Sequence, residues 1–214
     1  MPSLYLCDFD GTVARADVGN RFFARFVEED EAYQALLARW FEESMGGRAI
    51  LEGECALARV TEPEALAFAD AHAAIDPAFP AFVDAARKGG GEVAIASDGL
   101  LLYIRRILER NGLDHVEANA NGLVFDGDRI TPVFGSPEGE GCGACGSCKG
   151  AVLARRRDGY DRTVFVGDGL SDRCGARAAD VVYARDDLAD WCAREGIATR
   201  PFVTFADVMA AEGL

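Results

Sequence analysis

Two aspartates, Asp8 and Asp10, follow an apolar run and precede a glycine turn in the stretch Leu4-Tyr5-Leu6-Cys7-Asp8-Phe9-Asp10-Gly11-Thr12. A buried strand that delivers two carboxylates to its carboxyl end places a nucleophile, a proton donor and half of a cation site together. Covalent phosphoryl transfer through an aspartyl-phosphate needs that set of parts. Calcium loops and acidic turns use the same residues, so Asp-x-Asp-Gly alone does not decide the matter. Two more apolar runs end in the same manner. Glu92-Val93-Ala94-Ile95-Ala96 leads into Ser97-Asp98-Gly99, and Thr163-Val164-Phe165-Val166 leads into Gly167-Asp168-Gly169-Leu170-Ser171-Asp172.

The elements that must position these groups alternate between strand and helix. Residues 3–9 read as a buried strand. From Asp17 to Glu43, Phe22, Phe23, Phe26, Tyr33, Leu36, Leu37, Trp40 and Phe41 recur at helical spacing, with a break near Glu29-Asp30 and a stop at Met45-Gly46-Gly47. Further helices cover 48–60 and 63–75, the second opening on Thr61-Glu62-Pro63-Glu64. Residues 14–77 therefore read as an all-helical insert, and 1–13 with 78–214 as one α/β core. In the core, helices at 79–88 and 100–110 flank the strand at 92–96. Residues 116–134 read as short strands with turns at Asn121-Gly122 and Asp126-Gly127. A glycine- and cysteine-rich loop precedes a helix from Lys149, and a strand at 180–184 precedes two terminal helices. This rhythm implies a Rossmann-like parallel sheet whose ligands bind beyond the carboxyl ends of the strands. If the three strands are neighbours, their polar ends converge in one crevice.

Composition limits the partners. The 214 residues suffice for one core domain with an insert, and 22 basic against 36 acidic residues give a net charge of −14. Nucleic acid and anionic membranes select basic surfaces, so neither is expected. A phosphate substrate would meet a repulsive field, which a divalent cation and local cations must reverse. Among the 22 basic residues only Lys88 and Lys149 are lysine. A lysine kept amid so much arginine hints at a need for a compact ammonium; Lys88, beside a glycine triplet at a helix end, reads as chance. Seven cysteines, with no basic flank ahead of the first strand, read as thiols in a reducing compartment. No apolar run approaches the roughly 20 residues needed to cross a bilayer, so a cytoplasmic protein is expected. A homodimer is compatible with the sequence, which does not fix the oligomeric state.

Asp8-Phe9-Asp10-Gly11-Thr12, Ser97, Lys149 and Gly167-Asp168-Gly169-Leu170-Ser171-Asp172, in this order, resemble the four motifs of the haloacid dehalogenase superfamily. The resemblance spans residues 8–172, and the insert is similar to the helical cap of the phosphoserine phosphatase-like branch. It implies a Mg²⁺-dependent phosphomonoesterase acting on a small phosphorylated metabolite. Asp8 would be the nucleophile and Asp10 the general acid and base. Ser97 would hold a phosphoryl oxygen with the N–H groups of Gly11 and Gly99, although a serine there also reads as a helix cap. Lys149 would neutralise Asp8 and the phosphate. The Mg²⁺ site would draw on Asp8, Asp10, Asp168 and Asp172, hard oxygen donors that suit this ion. Asp17 matches a substrate-facing acid at the cap entry and equally an N-cap, and Arg48 would contact a second anionic group.

Two features separate this chain from phosphoserine phosphatases. Asp98 stands in Ser97-Asp98-Gly99 where those enzymes carry glycine, and a carboxylate there disfavours an anionic substrate group. The cysteines before Lys149 are similar to those of methionine-salvage phosphatases, while Asp98 also suits an aminoalcohol phosphate such as phosphoethanolamine or phosphocholine. A phosphomutase shares the same motifs. Cys142, Cys145 and Cys148 have zinc-ligand spacing without a fourth ligand nearby, which leaves free thiols or a zinc- or redox-sensing module as alternatives. Cys7, Cys55, Cys174 and Cys192 read as core fillers.

Overall fold

The computed structural model describes residues 2–28, 30–137 and 139–214. Its sheet has six strands in the order β4-β3-β2-β1-β5-β6. These are β1 (Ser3–Cys7), β2 (Glu92–Leu100), β3 (Glu117–Asp126), β4 (Arg129–Val133), β5 (Arg162–Gly167) and β6 (Val181–Ala184). All neighbours are parallel except β3 and β4, which form an antiparallel hairpin at the edge. Along β1 the side chains alternate between the two faces. Leu4 and Leu6 enter one apolar cluster, and Tyr5 and Cys7 the other. A central parallel strand covered on both faces must be apolar throughout, which explains the unbroken run ahead of Asp8.

The second strand extends further than expected, through Ser97-Asp98-Gly99 to Leu100. Asn121-Gly122, expected as a turn, lies inside β3, and only the Gly127 turn (φ +63°) reverses the chain. The reason is tertiary. The buried Asn121 side chain donates to the Asp98 carbonyl at 2.7 Å and accepts from Gly135 N–H at 3.1 Å, so it braces the end of β2 against the loop after β4 and cannot sit at a solvent turn.

Ten α-helices complete the described residues. Between β1 and β2 run α1 (Val18–Phe26), α2 (Asp30–Phe41), α3 (Gly47–Leu57), α4 (Glu62–Ala71) and α5 (Phe79–Lys88). The expected break near Glu29-Asp30 falls partly on residue 29, outside the described residues; α1 ends at Phe26 and α2 starts at Asp30. Thr61 and Glu64 close the expected capping box on α4, with Pro63 in its first turn. Phe22 and Phe26 of α1 meet Phe68 of α4 at ring separations of 5.4 and 5.9 Å. Helix α6 (Leu101–Arg110) packs against α4, and α3 packs against β4, so α1–α4 lie over the hairpin end of the sheet. One sheet face is covered by α5, α6 and α10 (Phe205–Glu212), where the Phe205 ring packs edge-on against Phe79 and tilted against Phe82. The other is covered by α7 (Lys149–Arg156), α8 (Arg173–Ala178) and α9 (Asp186–Glu195). No helix among the described residues is long and apolar enough to cross a membrane.

Strand register fixes the site. Cys7 pairs with Ile95 on one side and with Val166 on the other. Asp8, Ser97 and Asp168 therefore leave three adjacent strands at one edge, within one or two residues of a common level.

Candidate active site

At that edge Lys149, the first residue of α7, is 1% exposed. Its Nζ lies 2.5 Å from Asp8 Oδ1, 2.9 Å from Ser171 Oγ, and in contact with Asp172 Oδ1. Burial alone would lower the lysine pKa, but Asp172 and Asp8 more than offset it and hold the ammonium charged. One cation faces three acids, because carboxylate oxygens of Asp8, Asp168 and Asp172 all lie within 4.8 Å of one another. Burial and the neighbouring Asp172 raise the Asp8 pKa well above the usual range. The same two causes bring Asp168 to about 6. A buried, oxygen-only donor set with excess negative charge is the chemistry of a hard divalent cation site.

Asp172 is fully engaged on the protein side. Its Oδ2 accepts from the N–H groups of Asp168 and Gly169 at 2.8 Å each, which fixes the turn after β5. Thr12 Oγ1 donates to Asp168, tying the first loop to the fourth. Gly11 lies against Asp168 with φ +83°, so a side chain there would both strain the backbone and strike the carboxylate.

The Asp10 carboxylate is turned away from the other three. It accepts from Val18 and Gly19 N–H at 2.8 and 3.2 Å, in the first turn of α1, and from Tyr103 Oη at 2.5 Å. Burial, followed by the Asp17 carboxylate, lifts its pKa to about 7 against these hydrogen bonds. An acid poised near neutrality can both give and take a proton. Ser97 is buried, its Oγ accepting from Gly99 N–H at 3.0 Å. Gly99 is pinned between Ser97, Tyr103 and Asp10, and an added Cβ would come within 2.6 Å of Asp10 Oδ2.

Above these groups lies a cavity of about 290 Å³, at the small end of ligand pockets. Asp8, Asp10, Asp17, Ser97, Asp98, Gly99 and Asp168 line it from the sequence-derived set. Phe23, Leu37, Trp40, Ile50 and Leu51 from α1–α3 supply an apolar wall. Asp17 does both things expected of it, since it faces the cavity while capping α1 through Asn20 N–H at 2.7 Å. Asp98 is held by Ser147 N–H at 2.8 Å and by Asn121, so it also fixes the loop ahead of Lys149.

Arg48 is the expected site residue that the fold does not bring in. Its guanidinium donates to the Ser136 and Pro137 carbonyls and stacks on Phe134, outside the cavity lining. The chain folds so because the start of α3 docks on the cysteine loop, with Arg48 N–H donating to the Ala144 carbonyl at 2.8 Å. Three residues had no signal in the sequence. Tyr103 grips Asp10 across 93 positions, Asn121 braces Asp98, and Glu54 places a carboxyl in the cavity. Burial, then Asp17 and Asp98, raise the Glu54 pKa to about 8.

The model of the haloacid dehalogenase-like hydrolase family matches residues 5–177. The chain belongs to that family. It is 31% identical over 209 residues to a 2-hydroxy-3-keto-5-methylthiopentenyl-1-phosphate phosphatase of Exiguobacterium sibiricum, covering 95% of this chain and 93% of that one. A protein of the same name from Geobacillus kaustophilus is 31% identical over 213 residues, with 96% and 93% covered. Among solved structures, a phospho-aspartyl intermediate analogue of phosphoserine phosphatase superposes with a TM-score of 0.73 at 20% identity, covering 99% and 98% of the two chains. A phosphoserine phosphohydrolase-like protein from Francisella tularensis gives 0.75 at 14% identity, covering 99% of each. At those identities the likeness to the solved structures is one of fold.

Proposed function

We propose that this chain is a Mg²⁺-dependent phosphomonoesterase whose substrate is a small phosphate ester with an uncharged, largely apolar tail. Residues 14–77 act as its helical cap. The observation that carries the reading is the buried Lys149 ammonium set between Asp8 and Asp172, with Asp168 beside them: one fixed positive charge against three carboxylates. Asp8, Asp168 and Asp172 would hold Mg²⁺, which when bound supplies the positive charge that lets a carboxylate approach a phosphate.

The steps belong to the chain's own residues. An Asp8 oxygen attacks phosphorus in line, the ester P–O bond breaks, and the leaving alcohol oxygen takes the proton of Asp10. The Asp10 carboxylate then takes a proton from water as that water attacks phosphorus. The bond from phosphorus to Asp8 breaks, phosphate leaves, and both aspartates return to their starting states. Lys149 and the N–H groups beside Ser97 hold the phosphoryl oxygens throughout. Tyr103 and the N-terminus of α1 keep Asp10 aimed.

The tail is read from the cavity wall. No Arg or Lys lines the cavity among the described residues, so a substrate carboxylate would find no partner. Glu54, with its pKa near 8, carries a proton at pH 7 and so adds no charge to the apolar wall formed by Phe23, Leu37, Trp40, Ile50 and Leu51. That suits the substrate named for the Exiguobacterium and Geobacillus relatives better than phosphoserine. A second reading is favoured by Asp17 and Glu54 together, because a bound ammonium would displace the Glu54 proton and pair with both acids, as an aminoalcohol phosphate would. Such metabolism fits a cytoplasmic enzyme.

Phosphate release from a methylthiopentenyl-type phosphate, phosphoethanolamine and phosphoserine, each with and without Mg²⁺, tests the proposal. The expected order of kcat/KM places the uncharged tail first and phosphoserine last. Phosphoserine as the best substrate, or equal turnover without divalent cation, would overturn it.

A further inference from the structure

Two groups of metal-ligating side chains occur among the described residues, and one of them, Asp8 with Asp168 and Asp172, belongs to the active site. The other lies outside the cavity lining. Cys142, Cys145, Cys148 and Cys174 bring their four sulfurs within 4.8 Å of one another. The first three come from the loop between β4 and α7, and the fourth from α8, 26 positions further along the chain. All are free thiols, with Cys142 and Cys145 in hydrogen-bond contact at 3.3 Å. The sequence pattern alone supplied three ligands and treated Cys174 as a core filler; the fold makes it the fourth member of the group.

We propose that these four cysteines bind a structural Zn²⁺ ion. Four thiolates at Zn–S distances of about 2.3 Å form a tetrahedron whose sulfurs lie about 3.8 Å apart, well within the spread the cluster already spans. Soft sulfur donors in a four-sulfur set select zinc over Mg²⁺, so the two ions are sorted by ligand chemistry between neighbouring sites. A closed set of four protein ligands leaves no position for substrate or water, which makes the ion structural. The loop is shaped around its sulfurs. Gly141 and Gly143 adopt φ of +68° and +73°, and a side chain on Gly141 would come within 2.6 Å of Cys148 Sγ. Exposure grades from the exposed Cys142 to the buried Cys148, which gives the ion a path from solvent. On binding, each thiol releases its proton, so occupancy rises with pH.

The position of the cluster gives the ion a purpose. Cys148 precedes Lys149, and Cys174 follows Asp172 by two residues, so the ion joins the loop that carries the ammonium to the helix that follows its acid partner. The same loop holds Asp98 through Ser147 N–H and receives Arg48 N–H on Ala144. Segment 134–148 forms no helix or strand among its described residues, and ordering such a segment costs about 1–2 kcal/mol per residue in backbone entropy. A metal clip offsets part of that cost where apolar burial is sparse.

The test uses the intact protein purified under reducing conditions and dialysed against metal-free buffer without chelator. Elemental analysis should find one zinc per chain, and X-ray absorption at the zinc edge should show four sulfur neighbours near 2.3 Å. Exchange with Co²⁺ should give thiolate-to-cobalt charge-transfer bands and the d–d spectrum of a tetrahedral ion. Cys142→Ser and Cys174→Ser should each abolish that spectrum, whereas Cys192→Ala should keep it. Cys142 is exposed, so its variant should fold, and circular dichroism checks this. Four thiols that titrate freely in folded wild-type protein without zinc would overturn the proposal. So would a disulfide between Cys142 and Cys145, a single iron in place of zinc, or nitrogen and oxygen neighbours at the zinc edge.

Discussion

Replacing Glu54 by glutamine should make the protein more stable at alkaline pH while leaving its stability near pH 4 almost unchanged. Glu54 is only 9% exposed, and in the folded chain its pKa sits near 8 instead of the ordinary 4.5. Burial is the main cause, with Asp17 and Asp98 adding repulsion. Between those two values the folded state keeps a proton that the unfolded chain has lost, so unfolding free energy falls as pH rises. The separation of about 3.5 pH units, at about 1.36 kcal/mol per unit, caps the effect at roughly 5 kcal/mol. Water in the adjoining cavity screens part of this, so about 2–4 kcal/mol is expected. Glutamine is neutral throughout and removes the slope that Glu54 contributes; it also relieves the repulsion on Asp17 and Asp98. Urea unfolding of both proteins at intervals from pH 4 to pH 9 and constant ionic strength measures the difference directly. Curves that stay parallel across that range would refute the argument that Glu54 is protonated at pH 7. The same variant separates the two substrate readings, since an uncharged tail should keep its KM at pH 7 while an ammonium substrate should lose affinity.

Lys149→Met should destabilise the fold by about 3–5 kcal/mol, because Asp8 and Asp172 would lose their buried counter-charge, and it should abolish turnover. Lys149→Arg should not rescue activity, since the site is closed around a compact ammonium; thermal melts and phosphate release report both. Gly99→Ala should cost about 1–3 kcal/mol of stability and a large part of kcat, because the new methyl group must displace Tyr103 or Asp10. Near-normal kcat in that variant would show that Asp10 has more room than the packing gives it. A chelator should stop turnover, and Mg²⁺ should restore it fully; activity that survives chelation would remove the cation from the account.

What the sequence revealed and what it hid follow from the range of the interactions. Asp8, Asp10, Asp168 and Asp172 announce themselves because they come in two close pairs, each within a few residues of the end of an apolar strand and of a glycine turn. The alternation of elements implied a parallel sheet but left its strand order open, and the Thr61 capping box is local by nature. Lys149 stood out because lysine is rare in this chain. Tyr103 and Glu54 were invisible because nothing in their own helices marks them; each matters only through what the fold sets opposite it. Asn121-Gly122 misled for the same reason: a pair that favours turns was recruited into a strand by Asp98 and Gly135. Arg48 lies near the cavity in sequence terms, but the docking of α3 on the cysteine loop turns it outward.

Trapping the covalent intermediate addresses the core of the account. Borohydride added during turnover should reduce an acyl-phosphate and leave homoserine in place of one aspartate, which peptide mass spectrometry can locate. The geometry requires that residue to be Asp8, and an Asp8→Asn chain should give no such product. Reduction found at Asp10 or Asp168, or turnover retained by the asparagine variant, would contradict it.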